Sequence, residues 1–304
     1  MANYVVSDDL LEDLIFRFTR DITAMVRKGK FDPIIGREEE INHLELILLQ
    51  RLRKNAMLIG PAGVGKSALF VGLAHKIVSD NVPRLLKDAR VLELDLTSMA
   101  AGAKERSEFE GRLIPFIRGI AERNDAHEMP PIIICIDEFH TIMPTCKASS
   151  AAGIVDIMKS YLTMGNLYVV GTTTRNEYQD YVTPDQAVVR RFQLIELEQP
   201  NQQETLVILQ GIRDNFIKHY NIAIPDDVCR KIVWLTAHFM RHRTFPDKAI
   251  LTLDAACARA IQAGIKDGDT LPSRMVVEAV AAEINLNPDA VEEKAAEILP
   301  LGSN

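Results

Sequence analysis

The run Gly60, Pro61, Ala62, Gly63, Val64, Gly65, Lys66 and Ser67 constrains this chain more than any other. It follows the apolar Met57-Leu-Ile and opens a helix-like stretch from Ser67 to Val78, so it predicts a strand, a glycine-rich loop and a helix in that order. Glycine lets such a loop take positive φ and turn its backbone N–H groups inward around a polyphosphate, and the new helix points its positive end at the same place. Lys66 then offers a mobile positive charge to the β and γ phosphates, and Ser67 a hydroxyl to Mg²⁺.

A second constellation lies at Ile132-Ile-Ile-Cys-Ile-Asp137-Glu138. Five apolar residues followed by two acids read as a buried parallel strand whose carboxylates emerge at its C-terminal end, where ligands sit in open α/β sheets. Asp137 is then placed to hold a magnesium shell and Glu138 to polarise an attacking water. A strand can also end in acids merely to return to solvent, but the pairing with the phosphate loop favours chemistry.

At 304 residues there is room for one large or two modest domains. The net charge of -7 argues against general nucleic-acid affinity. Cys135, Cys146, Cys229 and Cys257 have no paired spacing, so reduced thiols in a cytoplasmic setting are expected, not a disulfide frame or a zinc site. The acids Asp8, Asp9, Glu12 and Asp13 are unlike a signal peptide, and no uncharged stretch reaches membrane-spanning length, so no direct membrane insertion is expected. His140, His238 and His242 form no ligand pair at metal spacing and read as ordinary polar residues.

Along the chain, Leu11, Leu14, Ile15, Phe18, Ile22 and Met25 recur at helical spacing and predict a lead-in helix within residues 1–30, able to pack on its own body or on a neighbouring copy. Apolar runs at 56–59, 91–96, 132–136, 167–171 and 193–197 alternate with helical patterns over residues 31–200, which predicts an α/β body with a parallel sheet. Beyond Pro200 the strand signals stop. Four amphipathic helices are expected over residues 201–286, then a tail, 287–304, with one helical turn or two.

Several motifs now stand in one order: Asp32-Pro-Ile-Ile-Gly36-Arg37-Glu38, the phosphate loop, residues 100–113, Ile136-Asp-Glu-Phe-His-Thr141, Gly171-Thr-Thr-Thr, Val189-Arg-Arg-Phe192 and Phe245-Pro-Asp-Lys-Ala-Ile250. From about Thr19 to Leu286 the chain resembles the first ATPase module of the Clp family of AAA+ unfoldases. The resemblance implies an α/β AAA+ body with a helical lid, Walker A and Walker B motifs at the loop and the acid pair, ATP and Mg²⁺, assembly of copies into a hexameric ring, and chaperone-type work on a protein partner. It also implies site residues. Ile34 and Ile35 would flank the adenine, Thr174 would sense the water or γ-phosphate, and Arg190 and Arg191 would reach a neighbour's nucleotide as trans-acting fingers. Asp247 and Lys248 would stand near the nucleotide from the lid.

The resemblance covers a single module, with no second ATPase module in the chain. Residues Lys104, Glu105 and Arg106 occupy the position of the pore loop, and Glu105 stands where the family places an aromatic. An aromatic grips varied polypeptide through apolar area, whereas a carboxylate stays hydrated. Two functions therefore remain open at this point: a ring-forming ATPase that remodels a protein partner, and a nucleotide-dependent scaffold or switch that does not thread polypeptide.

Overall fold

The computed structural model describes residues 6–101, 106–126, 129–144, 146 and 154–298. Lys104 and Glu105 lie outside the described residues, Arg106 is described only as the first residue of a helix, and most of the second expected pore segment, 143–153, lies outside them too.

Six strands form one sheet: β1 (Thr19–Asp21), β2 (Asn55–Ile59), β3 (Arg90–Leu94), β4 (Ile132–Ile136), β5 (Tyr168–Thr173) and β6 (Phe192–Glu196). Their order across the sheet is β1-β3-β4-β5-β2-β6, and every pair is parallel except β1 with β3. β2, β4 and β5 are buried along their whole length, as central strands covered on both faces must be. β6, at the edge, is only partly buried, with Phe192 and Ile195 inside and Leu194 and Glu196 exposed. The five apolar runs of the sequence thus become the five parallel strands.

The lead-in helix differs from expectation. Helix Asp8–Phe18 ends, the chain extends through β1, and a second helix runs Ile22–Arg27. Thr19 breaks the helix in an extended conformation with its hydroxyl bonded to the Ile15 carbonyl at 2.7 Å, and Asp21 caps the next helix by accepting the Ala24 N–H at 2.8 Å. Pairing with β3 outweighs the helical periodicity, because β1 covers strand groups that would otherwise stand open at the sheet edge. Phe18 and Ile22 are both buried on either side of the break, which is why the apolar spacing ran through it. Leu11, Leu14, Ile15 and Phe18 share a core with Leu113, Phe116 and Ile117, so this helix packs on its own body.

The chain divides into two compact units. Met1–Gly60 with Lys66–Leu197 makes the α/β unit; Pro61–Gly65 with Glu198–Asn304 makes the second. In the second, helices Gln202–Tyr220, Asp226–Phe239, Asp247–Gln262 and Ser273–Glu283 bury Leu209, Ile232, Leu235, Leu253 and Val280. The first is opened by a capping box in which Asn201 accepts the Glu204 N–H and Glu204 accepts the Asn201 N–H. A further helix, Pro288–Ile298, is longer than the turn or two expected of the tail. Val291 and Ala295 join the same core, and Arg274 reaches Asp289 at 2.7 Å and Glu292 at 2.6 Å. Tertiary burial of a single apolar stripe supplies what this alanine- and glutamate-rich segment lacks on its own.

Candidate functional site

The sheet register sets the site. Ile59 pairs with Thr173 and with Glu196, and Ile136 pairs with Gly171, so β2, β4 and β5 deliver their C-terminal ends to one edge. There the Gly60 N–H donates to the Thr173 carbonyl at 3.4 Å. Past Gly60 the loop turns through Gly63 (φ 77°) and Gly65 (φ 95°), backbone conformations that a side chain strongly disfavours. Gly63 is also closely approached within the second unit: a Cβ there would stand 2.8 Å from Cβ of Asp247. Pro61, Ala62 and Gly63 are exposed, while Val64 is buried as an anchor.

Lys66 donates to the Gly60 carbonyl at 3.0 Å and so lies back along the foot of its own loop. Burial lowers its pKa below the ordinary lysine value, against the opposing charges of Asp137, Glu177 and Glu138. The Ser67 hydroxyl donates to Oδ2 of Asp137 at 3.1 Å. Asp137 and Glu138 are both exposed, although they follow five fully buried residues. Glu138 sits at φ 49° and ψ 52°, in the left-handed region that costs a non-glycine residue about 1–2 kcal/mol. Such strain persists where surrounding contacts hold it.

A second layer was not read from the sequence. Thr172 donates to Oδ1 of Asp137 and accepts the Glu138 N–H at 3.2 Å. Glu177 accepts from the Thr174 hydroxyl at 2.8 Å, the Thr174 N–H at 3.1 Å and the Thr173 hydroxyl at 3.3 Å. His140 lies 3.2 Å from the Thr173 hydroxyl and 3.4 Å from Glu177, stacked on Tyr181. Burial would raise Glu177, but the Thr174 hydroxyl and N–H, the His140 charge and the Thr173 hydroxyl outweigh it and hold the carboxyl below its ordinary value. Thr174 and Glu177 form a capping box, and the spacing Thr174-Arg-Asn-Glu177 carried that signal in plain view. The Thr174 hydroxyl, expected from the sequence to be a sensor, is the one that caps this turn.

The remaining residues separate by surroundings. Ile34 and Ile35 are half-buried, and Ile34 stands against the helix after the loop, 3.7 Å from where a Cβ of Gly72 would be. Arg191 donates to the Thr163 hydroxyl at 2.6 and 2.9 Å and to the Ala187 carbonyl, whereas Arg190 is exposed and makes no side-chain bond among the described residues. In the second unit Lys248 is 4% exposed. Its ammonium donates to the Met240 carbonyl at 3.1 Å and lies 4.1 Å from the centre of the Phe245 ring. A cavity of about 680 Å³ opens beside the acid pair in the α/β unit, lined by Glu93, Asp95, Asp137 and Glu138 together with Arg20, which pairs with Glu93.

The model of the ATPase family associated with various cellular activities (AAA) matches residues 56–199, the stretch that holds the loop, the acid pair and the strand-end threonine. The AAA lid domain matches residues 201–297. The chain belongs to the AAA ATPases. It is homologous to the first ATPase module of the Clp-type proteins and, as a member of this family, an ATP-hydrolysing enzyme. It is 38% identical over 247 residues to the chaperone protein ClpB of Rickettsia conorii, covering 81% of this chain and 28% of that protein. To the negative regulator of genetic competence ClpC/MecB of Bacillus subtilis it is 37% identical over 271 residues, 89% of this chain and 32% of the relative. Among solved structures, a closed-state reconstruction of Hsp104 with ATPγS and FITC casein superposes with a TM-score of 0.82 at 32% identity, over 93% of this chain and 48% of that one. The S. cerevisiae Hsp104-ADP complex gives 0.81 at 33% identity, over 93% and 47%. The AAA ATPase module thus spans less than a third of these curated relatives and about half of each Hsp104 chain. Among the described residues no helix is long and apolar enough to cross a membrane.

Proposed function

We propose that this AAA module works as a ring-forming motor of the Clp type, in which ATP hydrolysis at shared sites remodels a protein partner. Residues 31–200 would form its nucleotide-binding body and the helices from residue 201 its lid. The observation that carries the reading is the meeting of the Ser67 hydroxyl and the Asp137 carboxylate at 3.1 Å, with Glu138 next in a strained turn, at the edge where the glycine loop begins.

The donor set fits magnesium that arrives with a nucleotide. One hydroxyl and one carboxylate are hard oxygen donors, and Mg²⁺ characteristically takes only one or two protein oxygens beside phosphate and water. Among the described residues no group of three or more His, Cys, Asp or Glu could cage a metal by itself. Bound there, the ion would neutralise phosphate charge. The chain's own groups divide the rest. Lys66 neutralises phosphate oxygens in the ground state, Ser67 and Asp137 hold the ion's shell, and Glu138 accepts a proton from the attacking water. Thr174 orients that water, and Ile34 and Ile35 give the adenine apolar contact. Asp247 approaches the loop tip at Gly63 from the lid helix.

The finger comes from another copy. The exposed Arg190 is free to enter a neighbour's site, and the acidic cavity beside Glu138, with Asp95 and Asp137 on its wall, suits an incoming guanidinium. Arg191 braces the same turn from within its own subunit and joins the finger pair.

The direct test is ATPase activity per chain against protein concentration, since a lone copy holds every group except the trans arginine. Activity should rise with concentration, and mixing Glu138→Gln chains with Arg190→Ala chains should restore turnover, because the intact site of an Arg190→Ala chain can receive the arginine of a Glu138→Gln neighbour. Flat activity and no rescue in mixed oligomers would remove the shared site. The scaffold reading is favoured by one residue, Glu105, in place of an aromatic grip. ATPase measured with and without an unstructured polypeptide separates the two, because a motor responds to its substrate and a scaffold does not.

A further inference from the structure

β4 and β5 pair Ile136 with Gly171, so the residues that follow, Asp137 and Thr172, leave the register side by side. Thr172 is fully buried. Both capacities of its hydroxyl are used inside the site: the proton goes to Oδ1 of Asp137, and the oxygen accepts the Glu138 N–H at 3.2 Å. The same N–H reaches Oδ1 of Asp137 at 3.1 Å. Oδ2 accepts from Ser67 at 3.1 Å. The carboxylate is thereby divided, one oxygen held by the β5 side and the other turned toward the phosphate loop. The left-handed residue Glu138 has its backbone N–H held by the same hydroxyl.

We propose that Thr172 is the positioning residue of the acid pair: its hydroxyl orients Asp137 so that Oδ2 faces the magnesium site beside Ser67, and pins the turn that aims Glu138. This rests on the reading of Asp137 as a magnesium ligand given above. A threonine in a strand needs no such task, since its branched shape alone favours the strand. Valine would fill the same space. What valine cannot do is donate to Oδ1 while accepting the N–H of the next residue. Groups that hold a metal's ligand commonly change metal affinity by about tenfold or more when removed.

The experiment compares the full chain with Thr172→Val, Thr172→Ala, Thr172→Ser and Asp137→Asn, using a fluorescent ATP analogue titrated first in EDTA and then against Mg²⁺. Thr172→Val should bind the analogue in EDTA within about twofold of the unmodified chain, yet need about tenfold more Mg²⁺ to reach its half-maximal gain in affinity. Thr172→Ala repeats the measurement without the branched side chain, and Thr172→Ser should return the Mg²⁺ midpoint to within about twofold, since it restores the hydroxyl. A Thr172→Val or Thr172→Ala protein that titrates with Mg²⁺ like the unmodified chain, while Asp137→Asn does not, overturns the positioning role alone. Equal loss of binding with and without Mg²⁺ also overturns it, because the residue would then serve packing only. If Asp137→Asn leaves the Mg²⁺ midpoint in place, the magnesium reading of Asp137 falls and this role falls with it.

Discussion

Lys66 in the α/β unit and Lys248 in the helical unit are both held below the ordinary lysine range by burial, and they do opposite things with the remaining charge. For Lys66 the charges of Asp137, Glu177 and Glu138 work against that burial, and it lies at the foot of a loop whose Gly63 and Gly65 take positive φ. Among the described residues Lys248 meets a carbonyl and an aromatic face, both from its own unit. The same desolvation therefore acts on a lysine facing acids in one region and on a lysine held by a carbonyl and a ring in the other. What separates them is the company of further polar groups: strand ends gather them at one edge, whereas amphipathic helices send them outward and bury the rest.

The largest effect should come from the arginines. Arg190→Ala is expected to lower kcat by about 10³-fold or more with an unchanged thermal midpoint, because a finger acts on transition-state charge and this exposed side chain makes no hydrogen bond or ion pair among the described residues. Arg191→Ala should lower both, since it also breaks the bonds to Thr163 and Ala187. Equal thermal midpoints for the two variants would erase the distinction between finger and brace.

Next comes the acid pair. Glu138→Gln should reduce kcat by about 10²- to 10⁴-fold while retaining ATP affinity, as expected of a general base, whereas Lys66→Ala should lose affinity first. Isothermal titration of both variants reads the difference. Matching losses of binding would merge the two roles.

The helical unit can be followed separately, because the chain's one tryptophan, Trp234, lies in it. Leu253 is fully buried in that unit's core, and Leu253→Ala should cost about 2–5 kcal/mol in tryptophan-monitored unfolding. Lys248→Met should cost less, about 1–3 kcal/mol, chiefly by removing the charged hydrogen bond to the Met240 carbonyl, which keeps only the Arg243 N–H at 3.2 Å. A loss of nucleotide affinity in Lys248→Met without loss of stability would instead assign the ammonium to the nucleotide, and the contrast with Lys66 would vanish.

The smallest effect concerns pH. Glu177 has a lowered carboxyl pKa, so between its folded and unfolded values the unfolded chain binds more protons and stability rises with pH. Its contribution is full above the unfolded value and is lost as pH falls through the folded one. Glu177→Gln should flatten that acid limb and cost about 0.5–2 kcal/mol at neutral pH, in the range of a lost helix cap. Thermal unfolding of both proteins across the acid range checks it, and identical acid limbs would rule out the capping box as the source.

Much of this molecule was legible locally. The glycine loop, the five apolar runs and the two acids after 132–136 each state their conformation or burial within a few residues. So do the stripes of the four lid helices, because dihedral preference and hydrophobic period are short-range properties. The capping box at Thr174 and Glu177 was equally local and went unread beside the expected sensor role. β1 was hidden for a different reason: its three residues interrupt a helical period without changing it, and only the open edge of β3 makes extension worthwhile.

The site's support lay beyond any local pattern. Thr172 reaches Asp137 across 35 residues of chain, and His140 reaches Thr173 across 33. Those partners exist because β4 and β5 are neighbours in one register. The sequence alone determined which residues could bind phosphate, carry the acids and form each helix. Tertiary structure decided which hydroxyl holds Asp137, which arginine is tied down and which lysine faces inward, since a hydrogen bond needs two groups brought within about 3 Å and only the packed sheet and helices set that distance.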